Sequence, residues 1–264
     1  MIFPIKDYNP LERIRFQTVT VALIAACVLA FLWQTAAANP EEVFLLYGLV
    51  PGLLTGSAEL GPGEAEVAPL VTILTSMFLH GGFMHLAGNM LYLWIFGDNI
   101  EDALGHGRFL LFYLLCGTVA AMAQVAADPD SVVPMVGASG AISGVLGAYL
   151  VLHPRTKILV LIFFRMTARL SAGVVLGIWI AFQLLSGTMD QGTGGGVAWW
   201  AHIGGFLAGM ALIVPMRQKG VPLFDRGGTP EDRSGVPGPT QTTPRTDNHR
   251  PRTPGRSRIP DSGG

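Results

Sequence analysis

The sequence contains few charged residues. Asp, Glu, Lys and Arg make up 13% of the 264 residues, whereas half of the residues are hydrophobic. A soluble domain has about a quarter of its residues charged, so the composition argues against an ordinary soluble protein. No Lys or Arg occurs between residues 16 and 107, between 109 and 154, or between 170 and 216. These gaps are long enough to hold apolar segments of roughly 20 residues, the length that crosses a bilayer.

Cysteine is also scarce. Cys27 and Cys116 are the two cysteines of the chain, and each falls in the middle of an apolar stretch. Two scattered cysteines make neither a disulfide framework nor a cysteine-based metal site. We expect both to be packing residues.

The apolar stretches predict six membrane spans. Their approximate ranges are 18–35, 83–98, 109–127, 137–153, 171–187 and 198–215. Threading these spans alternately places both termini and all Lys and Arg residues on one side, and loops with acidic residues but no cation on the other. The positive-inside bias makes the first side cytoplasmic. We therefore predict an all-α, polytopic membrane protein, a six-transmembrane-helix bundle with a long outer loop between spans 1 and 2. We place it in the plasma membrane, the inner membrane of a bacterium, with both termini cytoplasmic.

The charge and composition pattern also predicts the domain organisation. Residues 1–17 form a cytoplasmic N-terminal segment, 18–215 the membrane domain, and 216–264 a disordered cytoplasmic tail rich in Pro, Gly, Thr, Arg and Asp. The first span could instead be a cleaved signal peptide, but its apolar run is longer than the usual signal core. The short apolar stretch "KILVLIFFR" at 157–165 is bracketed by cations, and we expect it to lie along the cytoplasmic face.

A few polar residues occur in or beside three of the spans. Polar groups at membrane depth cost free energy and so indicate function; here they are His80, His85, Asn89, Ser139, Ser143 and His202. Counting at about 1.5 Å per residue from the cytoplasmic ends puts Ser139 about 21 Å up span 4, His202 about 20 Å up span 6 and His85 about 18 Å up span 2. Asn89 lies one turn below His85 on the same face. These side chains can therefore converge in one outward-facing pocket.

The small residues around Ser139 and His202 allow close helix packing. Gly140 and Gly144 in span 4, and Gly205 and Gly209 in span 6, each have the four-residue spacing that lets membrane helices approach. Packing alone would explain "VGASGAISG". Paired with the matched glycines beside His202, however, the same spacing would bring Ser139 within hydrogen-bond reach of that histidine.

A serine beside a histidine is the minimal activated nucleophile. The imidazole takes the hydroxyl proton and later protonates the leaving amine. The Asn89 amide, the His85 ring and the Ser139 backbone N–H can stabilise the oxyanion, although His85 and Asn89 could also simply link helices. No Asp or Glu lies near this depth, so we expect a dyad. The sequence lacks the last glycine of a G-x-S-x-G elbow and any H-E-x-x-H zinc motif.

These motifs together resemble the rhomboid intramembrane serine proteases. The similarity covers about residues 45–215 and rests on "GASG", "AHIGG", "HGGFMHLAGNMLYLWIFG" and "GDNIEDALG". It implies a nucleophile at Ser139, a base at His202, and oxyanion donors at His85 and Asn89. It also implies cleavage of transmembrane substrates near their outer ends, without a cofactor. We expect single-span membrane proteins as substrates and the lipid bilayer as surroundings, with no metal and no nucleic-acid partner.

One departure from the rhomboid pattern concerns His202. Some members of the family place an aromatic residue one turn after the nucleophile, under the base, and here that position is Ser143. What orients His202 is therefore an open question at the level of sequence. Two other functions remain as alternatives: an inactive rhomboid-like protein that binds membrane clients, and a transporter or channel, since polar residues inside a membrane also mark substrate paths.

Overall fold

The computed structural model describes residues 2–59, 61, 67–163, 165–189 and 196–225. The helices, in chain order, are α1 Thr18–Ala36, α2 Pro40–Tyr47, α3 Pro51–Thr55, α4 Pro69–Thr75, α5 Phe83–Leu104, α6 His106–Ala127, α7 Ser139–Leu152, α8 Ala172–Met189 and α9 Trp199–Met216. The strands are β1 Ile2–Asp7, β2 Lys157–Ile162 and β3 Met166–Ser171. The fold of the described chain is therefore mostly helical.

Six of the helices correspond to the six ranges predicted as spans, with ends that differ by up to six residues. Four of them, α1, α6, α8 and α9, are long and apolar enough to cross a membrane, which is consistent with a polytopic membrane protein. Helix α5 has 22 residues and carries acidic residues in its last two turns. Helix α7 has 14 residues, about 21 Å of helix, and a bilayer core is about 30 Å thick. By length and composition, α5 and α7 are therefore not among the candidate spans of the described residues.

Helix α7 lies at the centre of the helical bundle. Its residues from Gly140 to Tyr149 are all buried, and it packs most extensively against α9. The outer helices instead expose large apolar side chains, such as Leu29 on α1 and Phe182 on α8. Such an apolar exterior around a packed centre suits a lipid environment, because a soluble protein rarely exposes so many large apolar side chains.

A small antiparallel sheet corrects the all-α prediction. Strand β2 pairs with β1, opposing Phe3 to Leu161, and with β3, opposing Val160 to Ala168. The segment predicted to lie along the cytoplasmic face is thus largely a strand. Ile158 and Val160 point into the core and are fully buried, the two-residue alternation of a strand with one face covered. Span counting missed the sheet because β1 and β2 are distant in sequence.

The predicted N-terminal segment is fastened to the end of α5 by two acidic side chains. Asp102 accepts hydrogen bonds from the backbone N–H groups of Glu12, Arg13 and Ile14, at 3.1, 2.7 and 2.7 Å. Glu101 is fully buried, and it accepts from the backbone N–H of Thr20 and from its hydroxyl, each at 2.8 Å. The bonds to Glu101 satisfy amides at the start of α1 that the helix itself leaves unpaired, and the bonds to Asp102 hold the chain that precedes this helix.

The chain remains packed for several residues beyond the predicted end of the membrane domain. Val221 belongs to the main hydrophobic core, and the N–H of Phe224 donates to the carbonyl of Val151 at 2.8 Å. The short apolar run "VPLF" at 221–224 provides the side chains for this packing. The prediction for 216–264 was based on the composition of the whole stretch, in which this run is a small part. Residues 226–264, to which the prediction of disorder chiefly applies, lie outside the described residues.

Candidate active site

A cavity opens among the N-terminal ends of α5, α7 and α9 and the C-terminal half of α8. Its volume is about 630 Å³, and its wall includes His85, Asn89, Ser139, Gln183 and His202. Ser139 is the first residue of α7 and His202 the fourth residue of α9, so both sit at the same end of the bundle. The structure therefore brings together all four residues that the sequence predicts for the chemistry.

Ser139 and His202 are in hydrogen-bond contact. Ser139 Oγ lies 2.8 Å from His202 Nε2, the usual separation for a hydroxyl donor. Both side chains are partly buried and remain accessible from the cavity. A histidine nitrogen with a free lone pair at this distance can remove the serine proton as the hydroxyl attacks a carbonyl carbon.

The glycines between α7 and α9 permit this distance. A Cβ placed on Gly205 would overlap the carbonyl oxygen of Gly140, and one on Gly209 would overlap the carbonyl oxygen of Gly144. The backbones of the two helices are thus in direct contact at both predicted pairs. A third glycine of α7, Gly147, makes the same kind of approach to α9 and was not singled out from the sequence.

Helix α8 covers the other side of the His202 ring. The Nδ1 atom of His202 lies 2.7 Å from the Oε1 atom of Gln183. One turn earlier on α8, the Trp179 ring lies 6.0 Å from the His202 ring, centroid to centroid, at a tilt of 39°. Gln183 and Trp179 thus contact the His202 ring in place of the aromatic residue missing at position 143. Ser143 itself donates its hydroxyl to the Ser139 carbonyl at 2.6 Å.

His85 presents its Nε2 edge to the cavity near the start of α7. The N–H of Gly81 donates to His85 Nδ1 at 3.3 Å, so in the neutral ring the proton resides on Nε2. A Cβ on Gly137 would lie 2.8 Å from that Nε2 atom. Gly137 also has a φ of +130°, which disfavours any side chain, and this close approach explains the glycine two residues before Ser139.

Asn89 offers an amide group on the cavity wall. It is 7% exposed, and its Nδ2 atom has no hydrogen-bond partner among the described residues. Buried amides are normally paired, so an unpaired donor on a residue that lines the same cavity as Ser139 is suited to an oxygen that appears only during a reaction. His85 Nε2 and Asn89 Nδ2 are thus two donors on one wall.

The loop before α5 is held by α1. Gln34, buried near the C-terminal end of α1, donates from Nε2 to the His80 carbonyl at 2.5 Å and accepts from the His80 N–H at 3.1 Å. His80 Nδ1 donates to the carbonyl of Phe78 at 3.1 Å. These bonds give His80 a structural role, and they fix the backbone that supplies the Gly81 donor to His85.

The described residues do not gather a metal-binding group. No three His, Cys, Asp or Glu side chains converge in the part of the chain that the structure covers. Cys27 and Cys116 are buried free thiols, as packing residues would be.

Gln183 is the site residue that sequence reasoning missed. Its position in the sequence could have indicated a place at the site. Gln183 lies six residues before Met189, the last residue of α8, which is about 9 Å of helix. Counting from the cytoplasmic side had placed Ser139 and His202 at a similar depth, roughly 10 Å below the outer edge of a bilayer core about 30 Å thick. A lone amide in an apolar span at that depth is the kind of polar group that marks a site.

Comparison with known proteins identifies similar sequences. The family model described as the Rhomboid domain matches residues 68–219. The chain is 38% identical over 146 residues to rhomboid protease GluP of Bacillus subtilis, covering 54% of this chain and 26% of that protein. It is 33% identical over 153 residues to mitochondrial rhomboid protein 1 of Saccharomyces cerevisiae, covering 54% and 41%. It is 39% identical over 146 residues to the putative rhomboid protease YdcA of Bacillus subtilis, covering 55% and 68%. The chain thus aligns with less than half the length of the first two.

Proposed function

Because the chain belongs to the rhomboid family, we propose that it is an intramembrane serine endopeptidase with Ser139 as nucleophile and His202 as general base. The observation that carries the proposal is the 2.8 Å contact between Ser139 Oγ and His202 Nε2 on the wall of the cavity. The relatives named rhomboid proteases support the same activity.

The reaction follows from the positions of the two side chains. Ser139 Oγ attacks the carbonyl carbon of the scissile peptide while its proton passes to His202 Nε2. The tetrahedral intermediate collapses as His202 gives that proton to the leaving nitrogen, which breaks the C–N bond and leaves an acyl ester on Ser139. Water entering through the cavity, activated by His202 in the same way, hydrolyses the ester and restores the serine.

His85 and Asn89 supply the oxyanion donors in this proposal. Negative charge develops on the carbonyl oxygen as Ser139 attacks, and donors fixed in advance stabilise it most when water is excluded. Asn89 Nδ2 is buried and without a partner among the described residues, and His85 holds its Nε2 proton toward the cavity. Within the part of the chain that the structure describes, neither donor has to be released from another bond before the intermediate forms.

The proposed topology places this chemistry near the outer face of the membrane. We assign α5 and α7 as spans together with the four longer helices, giving six spans within a protease domain at 18–215 and a cytoplasmic tail from 216. Both termini then face the cytoplasm of a plasma membrane, because the cations lie at that end. The substrates are single-span membrane proteins, cut in the outer third of the span, and the reaction needs no cofactor.

Local unwinding of the substrate determines where the cut falls. A substrate helix bonds its own carbonyls and so hides the scissile bond from Ser139. Helix-weakening residues such as Gly, Pro and Ser lower the cost of exposing that bond. We expect cleavage after a small residue such as Ala, with Gly or Pro nearby.

Cleavage in proteoliposomes tests the proposed function. Purified protein is reconstituted with a panel of single-span substrates, and the cut is mapped by mass spectrometry. We expect cuts in the outer third of the span, and we expect replacing the helix-weakening residues by Leu to slow cleavage by about tenfold or more. Cuts at the cytoplasmic end, or unchanged cleavage of an all-Leu span, would contradict the topology and the unwinding step. Specific binding of substrates without any cut would favour the inactive, client-binding alternative.

A further inference from the structure

A polar side chain on α8 completes the hydrogen-bond chain that begins at Ser139. Ser139 Oγ contacts His202 Nε2 at 2.8 Å, and His202 Nδ1 contacts Gln183 Oε1 at 2.7 Å. Gln183 is 5% exposed and comes from a different helix than either dyad member. We propose that Gln183 is a positioning residue that holds His202 in the tautomer and orientation required of a general base. This inference rests on the proposed protease function.

The chemistry of the amide determines the tautomer of the histidine. A glutamine carbonyl oxygen has no proton to donate, so the short contact requires a proton on His202 Nδ1. In the neutral ring Nε2 then keeps its lone pair, which is the form that accepts the Ser139 proton. The other tautomer would place a proton between Nε2 and the serine hydroxyl and would block general-base catalysis.

The two site histidines are held in opposite tautomers by opposite partners. The N–H donor of Gly81 leaves His85 with its proton on Nε2, while the Oε1 acceptor of Gln183 leaves His202 with its proton on Nδ1. An oxyanion donor needs the first form and a general base needs the second. His85 and His202 thus take different roles at one cavity, and in each case a single hydrogen bond at Nδ1 determines which role.

Gln183 performs the orienting part of a triad without a negative charge. In a Ser-His-Asp triad the buried carboxylate fixes the ring and stabilises the imidazolium that forms. An isolated carboxylate would be costly at this depth of a membrane, whereas an amide provides the acceptor at a smaller desolvation cost. Trp179 lies four residues earlier on α8 and therefore on the same face of that helix. Its tilted ring lies beside the His202 ring and limits the rotation of that ring.

Replacing Gln183 by Leu removes the acceptor at nearly the same volume. We expect Gln183→Leu to lower kcat by about 10- to 100-fold, the range for a lost hydrogen bond to a group that becomes charged in the transition state. KM should stay within about twofold, because Gln183 is 5% exposed and its amide oxygen acts on the base and not on the substrate. Gln17→Leu provides the matched control, since Gln17 precedes α1 and makes no capping bond; it should retain wild-type kinetics.

Gln183→Glu separates positioning from a merely structural role. A carboxylate still accepts from Nδ1, so this variant should recover most of the kcat that Gln183→Leu loses. It should also move the acid limb of the kcat–pH profile to higher pH, because a negative neighbour favours protonated His202 and a protonated base is inactive. Melting temperatures of all three variants check that each is folded.

Each possible outcome either supports the proposal or overturns it. Reduced kcat in Gln183→Leu, with recovery and a shifted acid limb in Gln183→Glu, supports it. Wild-type kcat in folded Gln183→Leu overturns it. Equal losses in both variants with an unshifted profile also overturn it, since they indicate a packing role alone. If the wild-type protein itself neither cuts substrates nor reacts at Ser139, the proposed function fails, and that result is distinct from a failure at Gln183.

Discussion

Replacing either member of the dyad should abolish proteolysis. We expect Ser139→Ala and His202→Ala each to lower kcat on the order of 10⁴-fold or more, to the background of the assay, because neither residue has a nearby substitute for its role. The double variant Ser139→Ala/His202→Ala should lose little beyond either single variant, since residues that act as a unit are not additive. The measurement is single-turnover cleavage of a transmembrane substrate in proteoliposomes, with a melting curve for each variant.

Two further variants make the dyad prediction specific, and Ser143→Ala is the control. Ser143→Ala removes a hydroxyl from the same helix, where it donates to the Ser139 carbonyl, and it should retain most of the activity. Asn89→Ala should lower kcat by about 10²- to 10³-fold, as removal of one oxyanion donor does elsewhere. Substantial turnover by folded Ser139→Ala or His202→Ala would remove the dyad from the mechanism.

Adding a single methyl group between α7 and α9 should also lower the activity strongly. The Cβ of Gly205→Ala would overlap the Gly140 carbonyl oxygen, and backbone atoms on both sides cannot rotate away. The helices must therefore separate by roughly 1 Å, and a misplacement of about 1 Å in catalytic geometry can cost on the order of 100-fold in rate. We expect kcat/KM to fall by about that factor and the free energy of unfolding to fall by about 1–3 kcal/mol.

Gly177→Ala is the matched control for this substitution. Gly177 lies within α8, and a Cβ there meets nothing within 4 Å. The same glycine-to-alanine change should therefore leave activity unchanged and stabilise the helix by about 0.5–1 kcal/mol through its higher helix propensity. Native activity in Gly205→Ala would show that close contact between the helices does not set the distance between Ser139 and His202.

Much of the site could be predicted from local sequence because membrane helices have a fixed rise. Long stretches without Lys or Arg indicated where the helices lie, and counting residues from their cytoplasmic ends put Ser139 and His202 at one depth. The paired glycines then indicated which faces meet. The structure agrees at 2.8 Å between the two side chains, and the assignment of catalytic roles remains a proposal that the variants above test.

The features that sequence reasoning missed depend on contacts between distant segments. Strand β1 pairs with β2, and the residue pattern within either six-residue strand does not indicate which segment it pairs with. The Gln183 contact depends on how α8 is rotated about its axis, which residue counting does not give. The packing of Val221 onto the core likewise involves a short apolar run that is diluted by the polar residues following it.

Covalent labelling of Ser139 by a fluorophosphonate tests the central claim most directly. Only an activated serine displaces fluoride from the phosphorus atom at an appreciable rate, and no substrate needs to be known. The purified wild-type protein in detergent is treated with the probe, digested and mapped by mass spectrometry, beside Ser139→Ala and His202→Ala. The account predicts one modified residue, Ser139, in the wild-type protein, and no labelling above background in either variant. Labelling at another serine, or unreduced labelling of Ser139 in His202→Ala, would contradict it.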